Sequence, residues 1–171
     1  MTTWDFNEKI IAIQRGDKEA MKGIYDEYYA FIYYTALSYL KNNAMAEDVA
    51  SDVLIALFTK HDTQTYVKNP KTYLYVLTIN KCKNLTKFNQ KNDNQFEFGM
   101  VADCDSQTDF GSVEINQLLI KLPDMERNIL IMHILWGFSF VEIAKRLNLS
   151  LSTVKRKYKF ARDCLAQSLT K

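Results

Sequence analysis

Glycine and proline are scarce in this chain of 171 residues, with five and two respectively. An all-β chain needs many tight turns, and collagen or a proline-rich linker needs far more of both residues, so these classes are excluded. The two histidines, His61 and His133, are far apart in the sequence. Among the three cysteines, Cys82, Cys104 and Cys164, no two are close enough for a CxxC motif or a zinc ribbon. Three thiols cannot all pair with one another, and free thiols fit a reducing cytoplasm. HExxH, GxGxxG and P-loop patterns are missing, so no metal and no cofactor is expected. With no paired acid/base constellation either, an enzyme is not expected. The longest apolar runs, such as Ile129–Leu135, fall far short of the roughly 20 residues a bilayer crossing needs, so membrane insertion is not expected. Met1-Thr2-Thr3-Trp4-Asp5 has no basic flank leading into an apolar stretch, so no secretory signal is expected and the cytoplasm is the expected location.

What is present is an ordinary globular composition, 47% hydrophobic and 25% charged, enough for one domain or two small ones. The net charge of +2 conceals blocks of opposite sign. Residues 1–92 carry +2, residues 93–116 carry six acidic side chains and no basic one, and residues 117–171 carry +6. Such a division implies parts with different partners.

The first part reads as helices. Asp17 is placed to cap a segment in which Met21, Ile24, Tyr25, Tyr28, Phe31, Ile32 and Leu37 recur at helical spacing. Asn42-Asn43 interrupts it. A second helix carries Val49, Val53, Leu54, Leu57 and Phe58 on one side and Glu47, Asp48 and Asp52 on the other. His61–Lys71 reads as irregular, ending at Asn69-Pro70, because the residue before a proline is pushed out of the helical region. A third helix is expected from about Thr72 to Phe88. The periodicity then fails over residues 89–114, where Asn, Asp, Gln and Ser dominate, and an acidic linker is expected there, centred on residues 93–111. Ile115, Leu118, Leu119 and Leu122 resume the helical pattern up to Pro123, Asp124 is placed to cap an apolar helix through Trp136, and Gly137 ends it. The expected fold is therefore all-α: two small helical domains, residues 1–92 and 112–171, joined by an acidic linker.

The stretch from Phe140 to Lys155 has the layout of a helix-turn-helix. Ala144 is small where two helices must approach closely. Asn148 stands at the turn, where a left-handed backbone is needed and Asn ranks next after Gly. Ser150 suits the N-cap of the following helix. On that helix Val154, Tyr158, Ala161 and Leu165 share an inward face, while Ser152, Lys155, Arg156 and Lys159 point outward. Seven basic residues and no acidic one lie between Lys145 and Arg162. The first turns of such a helix fit the major groove, where Arg and Lys read guanine or grip phosphate. Thr153 and Arg162 complete the candidate duplex contacts.

A second cationic stretch runs from Lys60 to Lys91, with seven lysines, one acidic residue (Asp62), and Tyr66, Tyr73, Tyr75 and Phe88 interleaved. Lysines grip phosphates and aromatic rings stack on unpaired bases, although the same rings also suit a core. Glu47, Asp48 and Asp52 read as a solvated acidic face or a docking surface for a basic partner. His133 reads as a helix-packing or phosphate-facing residue.

In order along the chain, three quoted segments resemble a bacterial sigma factor of the extracytoplasmic-function (ECF) group. Ala46-Glu47-Asp48-Val49-Ala50-Ser51-Asp52-Val53-Leu54 is similar to the acidic polymerase-docking helix of that family. Lys71-Thr72-Tyr73-Leu74-Tyr75-Val76-Leu77-Thr78-Ile79-Asn80 is similar to its melting and promoter-reading helix. Leu122-Pro123-Asp124 through Trp136-Gly137-Phe138-Ser139 leads into the helix-turn-helix in the family's manner. The resemblance implies a transcription initiation factor that binds core RNA polymerase and directs it to promoter DNA. Glu47, Asp48 and Asp52 would dock on polymerase. Lys68, Lys71, Tyr73, Asn80 and Lys83 would hold the opened −10 element, where stacking and captured single strand offset the cost of unpairing. Ser152, Thr153, Lys155, Arg156, Lys159 and Arg162 would read the −35 element as duplex. An anti-sigma factor is a possible partner, and the free protein is expected to be a monomer. The chain departs from the family pattern at Tyr73 (usually Trp), Ser51 (usually Gln), Asn148 (usually Gly) and His133 (commonly a basic residue), and by lysines in place of several arginines over 81–87. Lysine cannot make the bidentate contacts of arginine. The same residues also suit a helix-turn-helix regulator that binds operator DNA as a dimer without polymerase, or a helical module whose basic helix binds an acidic protein.

Overall fold

The computed structural model describes residues 2–60, 66–92 and 113–169. Among these residues the fold is all-α, with eight helices and no strand, and the helices fall into two units. The first unit holds α1 (Thr3–Gln14), α2 (Lys18–Leu40), α3 (Asn43–Lys60) and α4 (Pro70–Asn92). Capping side chains mark each start. Thr2 accepts from the Asp5 N–H at 3.2 Å, and Asp17 accepts from the Glu19 and Ala20 N–H groups at 2.9 and 3.0 Å. Lys41, in a left-handed conformation (φ 55°), stops α2, and the Asn42 side chain accepts from the Met45 N–H at 2.9 Å to start α3. Such caps satisfy N–H groups that the first helical turn leaves without a partner.

Helix α2 is the spine of this unit and packs against α1, α3 and α4. Ile24, Tyr28, Ile32, Tyr33 and Leu37 are buried along it, facing Phe6 and Ile10 of α1, Val53 and Leu57 of α3, and Leu74 and Cys82 of α4. Helix α1 is an addition to the sequence reading. Its signal, Phe6, Ile10 and Ile13 at helical spacing, was present. Helix α4 starts two residues earlier than expected, because Asn69 caps it by accepting from the Thr72 N–H at 2.9 Å. Pro70 takes the first helical position, where no N–H is required. Tyr75 is buried and so belongs to the core rather than to a stacking surface.

The second unit holds α5 (Val113–Lys121), α6 (Asp124–Ile134), α7 (Phe140–Leu147) and α8 (Leu151–Leu169). Its core is Leu119, Leu122, Ile129, Ile131, Met132, Trp136, Phe138, Ile143, Val154 and Ala161. A charged residue joins them: Arg127 is fully buried and donates to the carbonyls of Leu119, Ile120 and Leu122 at 3.3, 2.9 and 2.8 Å. The guanidinium thereby serves carbonyls that the end of α5 leaves unpaired. Asp124 differs from its expected role. Pro123 holds the N-cap position of α6 and Asp124 is the first helical residue, with its carboxylate meeting Arg127 at 2.6 Å. The acidic linker expected over residues 93–111, with Cys104, lies outside the described residues, as do His61 and Asp62. Among the described residues no helix is long and apolar enough to cross a membrane.

Candidate nucleic-acid interface

The helix-turn-helix of the second unit is built by local devices. Ser139 and Glu142 form a reciprocal capping box at the start of α7. The main-chain N–H and hydroxyl of Ser139 both donate to the Glu142 carboxylate at 2.8 Å, which holds its carboxyl below the usual glutamate range. Asn148 ends α7 in the expected left-handed conformation, φ 53° and ψ 47°, and Leu149 donates back to the Ala144 carbonyl at 2.9 Å. Ser150 then caps α8, accepting from the Thr153 N–H at 3.2 Å.

On α8, Ser152, Lys155, Arg156, Lys159 and Arg162 are all exposed; Ser152, Lys155, Lys159 and Arg162 follow at three- and four-residue steps and Arg156 lies beside them, so they form one stripe. The other candidate, Thr153, is half-buried, with its hydroxyl 2.7 Å from the Ser150 hydroxyl within the cap. Arg162 pairs with Asp163 at 2.9 Å, in solvent. Lys157 leaves the stripe and binds Glu126 of α6 at 2.6 Å, which ties the recognition helix to the unit's core. On the inner face Val154 and Ala161 are buried and Tyr158 is half-buried. His133 is a packing residue. It stacks on Phe140 with ring centroids 4.2 Å apart and meets Tyr158 edge-on at 4.9 Å. Its Nδ1 lies 2.8 Å from the Phe138 carbonyl, which can only accept, so Nδ1 carries a proton.

In the first unit α4 presents a second stripe. Tyr73, Val76, Asn80, Lys83 and Lys87 recur at helical spacing, with Tyr73 half-buried and the rest exposed. Burial raises the Tyr73 phenol above its usual range, so it stays protonated and can donate a hydrogen bond at neutral pH. Lys68 is exposed before the helix, and Lys71 lies over the Phe31 ring at 5.9 Å. The opposite face, Leu74, Tyr75, Thr78 and Cys82, is buried. Burial pushes the Cys82 thiol up to about 12, which leaves it protonated and unreactive at neutral pH. The side chain of Phe88 lies outside the described residues.

The acidic trio on α3 separates. Asp48 and Asp52 are exposed one turn apart, and Asp52 accepts from Lys81 of α4 at 3.2 Å. Glu47 is half-buried, its Oε1 shielded and without a hydrogen-bond partner among the described residues. Its charge adds to the burial and the Tyr25 influence that push the Tyr29 phenol up to about 12. Three residues that sequence reasoning missed also shape these surfaces: Asn7, Glu126 and Arg127. Asn7 and Glu126 act through partners 60 and 31 residues away, and Arg127 through carbonyls at the end of the preceding helix.

An all-α fold whose second unit holds a helix-turn-helix, with a cationic stripe on α8 and a stripe of aromatic, amide and lysine side chains on α4, defines a helix-turn-helix protein suited to nucleic acid. The family descriptions "Sigma-70 region 2" and "Sigma-70, region 4" match residues 24–91 and 112–165 respectively. The ECF RNA polymerase sigma factor SigW of Bacillus subtilis (strain 168) is 24% identical over 180 residues, covering 95% of each chain. Among solved structures, the sigma factor RpoE of Bartonella quintana, crystallised with the anti-sigma factor NepR, superposes with a TM-score of 0.59 at 23% identity, over 87% of this chain and 96% of that one. CnrH, in complex with the cytosolic domain of CnrY, gives a TM-score of 0.52 at 16% identity, over 97% of both chains. The chain, most of which the two family descriptions together span, belongs to the sigma-70 family of RNA polymerase sigma factors and is similar to its extracytoplasmic-function member SigW. It is a transcription initiation factor that binds core RNA polymerase and directs it to promoters, a role favoured over that of an operator-binding regulator.

Proposed function

We propose the following division of labour within this sigma factor. Residues 1–92 dock on polymerase and capture the −10 element, residues 112–171 read the −35 element, and the acidic residues 93–111 tether them. Asp48 and Asp52 meet a basic surface of polymerase. Lys68, Lys71, Tyr73, Asn80 and Lys83 hold the opened strand. Ser152, Lys155, Arg156, Lys159 and Arg162 contact duplex in the major groove, with Thr153 fixing the cap beneath them.

The observation that carries this reading is the pairing of different surfaces. One unit presents a stripe of aromatic, amide and lysine side chains on α4 and the exposed Asp48 and Asp52 on α3, the latter paired with Lys81, and a nearly uniform cationic stripe lies on the other unit. A stripe of Tyr, Val and Asn offers stacking and amide contacts to unpaired bases, whereas Lys and Arg at the start of a recognition helix suit a duplex groove. By analogy with the Bartonella quintana sigma factor, which was crystallised in complex with an anti-sigma factor, an anti-sigma factor partners this protein. The protein acts in the cytoplasm, as a monomer when free, and has no catalytic activity of its own.

In vitro transcription tests the reading, using purified core polymerase, this chain and a promoter library. Start sites that depend on the chain and share paired upstream elements are the expected result. A dimer that protects a palindrome without polymerase, or failure to copurify with core, overturns it.

A further inference from the structure

This inference rests on the assignment of −10 capture to α4 and the segment before it. Residues 66–69 belong to no helix, so the main-chain groups of Val67 have no helical partners. They are met by Asn7, sixty residues earlier on α1. The Asn7 Oδ1 accepts from the Val67 N–H at 2.9 Å, and its Nδ2 donates to the Val67 carbonyl at 3.0 Å. The second Nδ2 hydrogen goes to the Thr3 carbonyl at 2.7 Å, so both amide hydrogens are committed. That third bond fixes the amide's orientation, because a flipped amide would set its oxygen against two carbonyls. The pairing at Val67 is what an antiparallel strand neighbour would provide. Asn7 and Val67 are 8% and 5% exposed. On either side of Val67, Tyr66 is 56% exposed and Lys68 is exposed. Two residues beyond Val67, Asn69 caps α4.

We propose that Asn7 is a positioning residue for promoter opening, clipping the segment before α4 through both main-chain groups of Val67 so that Tyr66 and Lys68 are held toward the unpaired strand. Clip and cap together fix Val67 and Asn69, with Lys68 between them and Tyr66 next to the clip. Tyr66 then offers a ring for stacking and Lys68 a charge for phosphate, on a backbone already ordered before the strand arrives. Without the clip, two buried main-chain groups lose their partners and turn to water, and the neighbouring side chains move with them.

The test uses full-length chain assembled with core polymerase, and Asn7→Ala and Asn7→Asp variants. The probe is a fluorescent single-stranded DNA carrying the −10 element of a promoter found by the transcription assay. Capture of this strand should weaken about tenfold in Asn7→Ala, the scale set by losing buried hydrogen bonds. Amide exchange at Val67 should accelerate, while core binding and −35 duplex binding stay unchanged. Asn7→Asp keeps the acceptor but faces carbonyl oxygens with a carboxylate. It should lose capture at neutral pH and recover part of it as falling pH supplies a donor proton. Faster exchange at Val67 with undiminished capture overturns the proposal. So does parallel loss of core binding, which marks a folding role. Lys71→Ala and Tyr73→Ala separate the two readings. If these also leave capture intact, the −10 assignment fails; if they abolish it while the Asn7 variants do not, only the clip fails.

Discussion

The two units solve the same problem by different means. The first has helices of 12 to 23 residues and buries long apolar faces around α2. The second has helices of 8 to 19 residues and, although caps and left-handed residues occur in both units, it alone among the described residues buries a charged side chain, Arg127, against main-chain carbonyls. Short helices leave a larger share of their main-chain groups without intrahelical partners, so polar devices matter more where helices are short. The difference carries into function. The long-helix unit presents a stripe with aromatic and amide character, suited to bases, whereas the short-helix unit presents charge on a rigid recognition helix.

Arg127→Ala should separate the units most sharply. It leaves three carbonyls near the end of α5 without their donor, so the second unit should lose about 3 kcal/mol. Denaturation followed by the fluorescence of buried Trp136 would report it. The first unit should keep its transition, and equal destabilisation of both would break the comparison. Next, Arg156→Ala with Lys159→Ala should cost about 2 kcal/mol of −35 duplex affinity and flatten its salt dependence, with core binding intact. Titrating duplex at several salt concentrations checks this. Asp48→Ala with Asp52→Ala should act on the other unit alone, weakening core binding by about tenfold, the scale of close charge pairs across an interface. Competition for core polymerase measures it, and full competition by the variant would refute the docking role. Ser139→Ala should have the smallest effect, about 1 kcal/mol from the lost cap. Because the folded state lowers the Glu142 carboxyl, the capping box contributes stability that is fully present above the ordinary glutamate range. That contribution fades as pH falls through this range to the lowered value. A pH series of melts on wild type and Ser139→Ala should converge under acid.

Much of this was legible in the sequence because it is local. Asp17, Asn148 and Ser150 do what their residue types favour at their positions, and the turn of the helix-turn-helix follows from them. The stripe on α8 followed from spacing alone. What escaped was long-range or depended on choice of partner. Asn7 reaches Val67 across sixty residues, and nothing near either residue signals the other. Asp124 looked like the N-cap, yet that position falls to Pro123, and the Asp124 carboxylate makes a charge-assisted bond to a buried guanidinium three residues on. Glu47 shared an acidic face with Asp48 on paper. One residue is 100° around a helix, enough to turn it toward α2's tyrosines.

The conformation of Asn148 has a wider consequence. The angle between α7 and α8 passes through one residue whose φ is 53°. A β-branched side chain there would strain against its own backbone, so Val or Ile should be rejected even though the site is open to solvent. Glycine would relieve that strain but loosen the unfolded chain. Selection at this exposed position therefore acts on a torsion rather than on a contact, and the aim of a whole helix is encoded in rotation about a single bond.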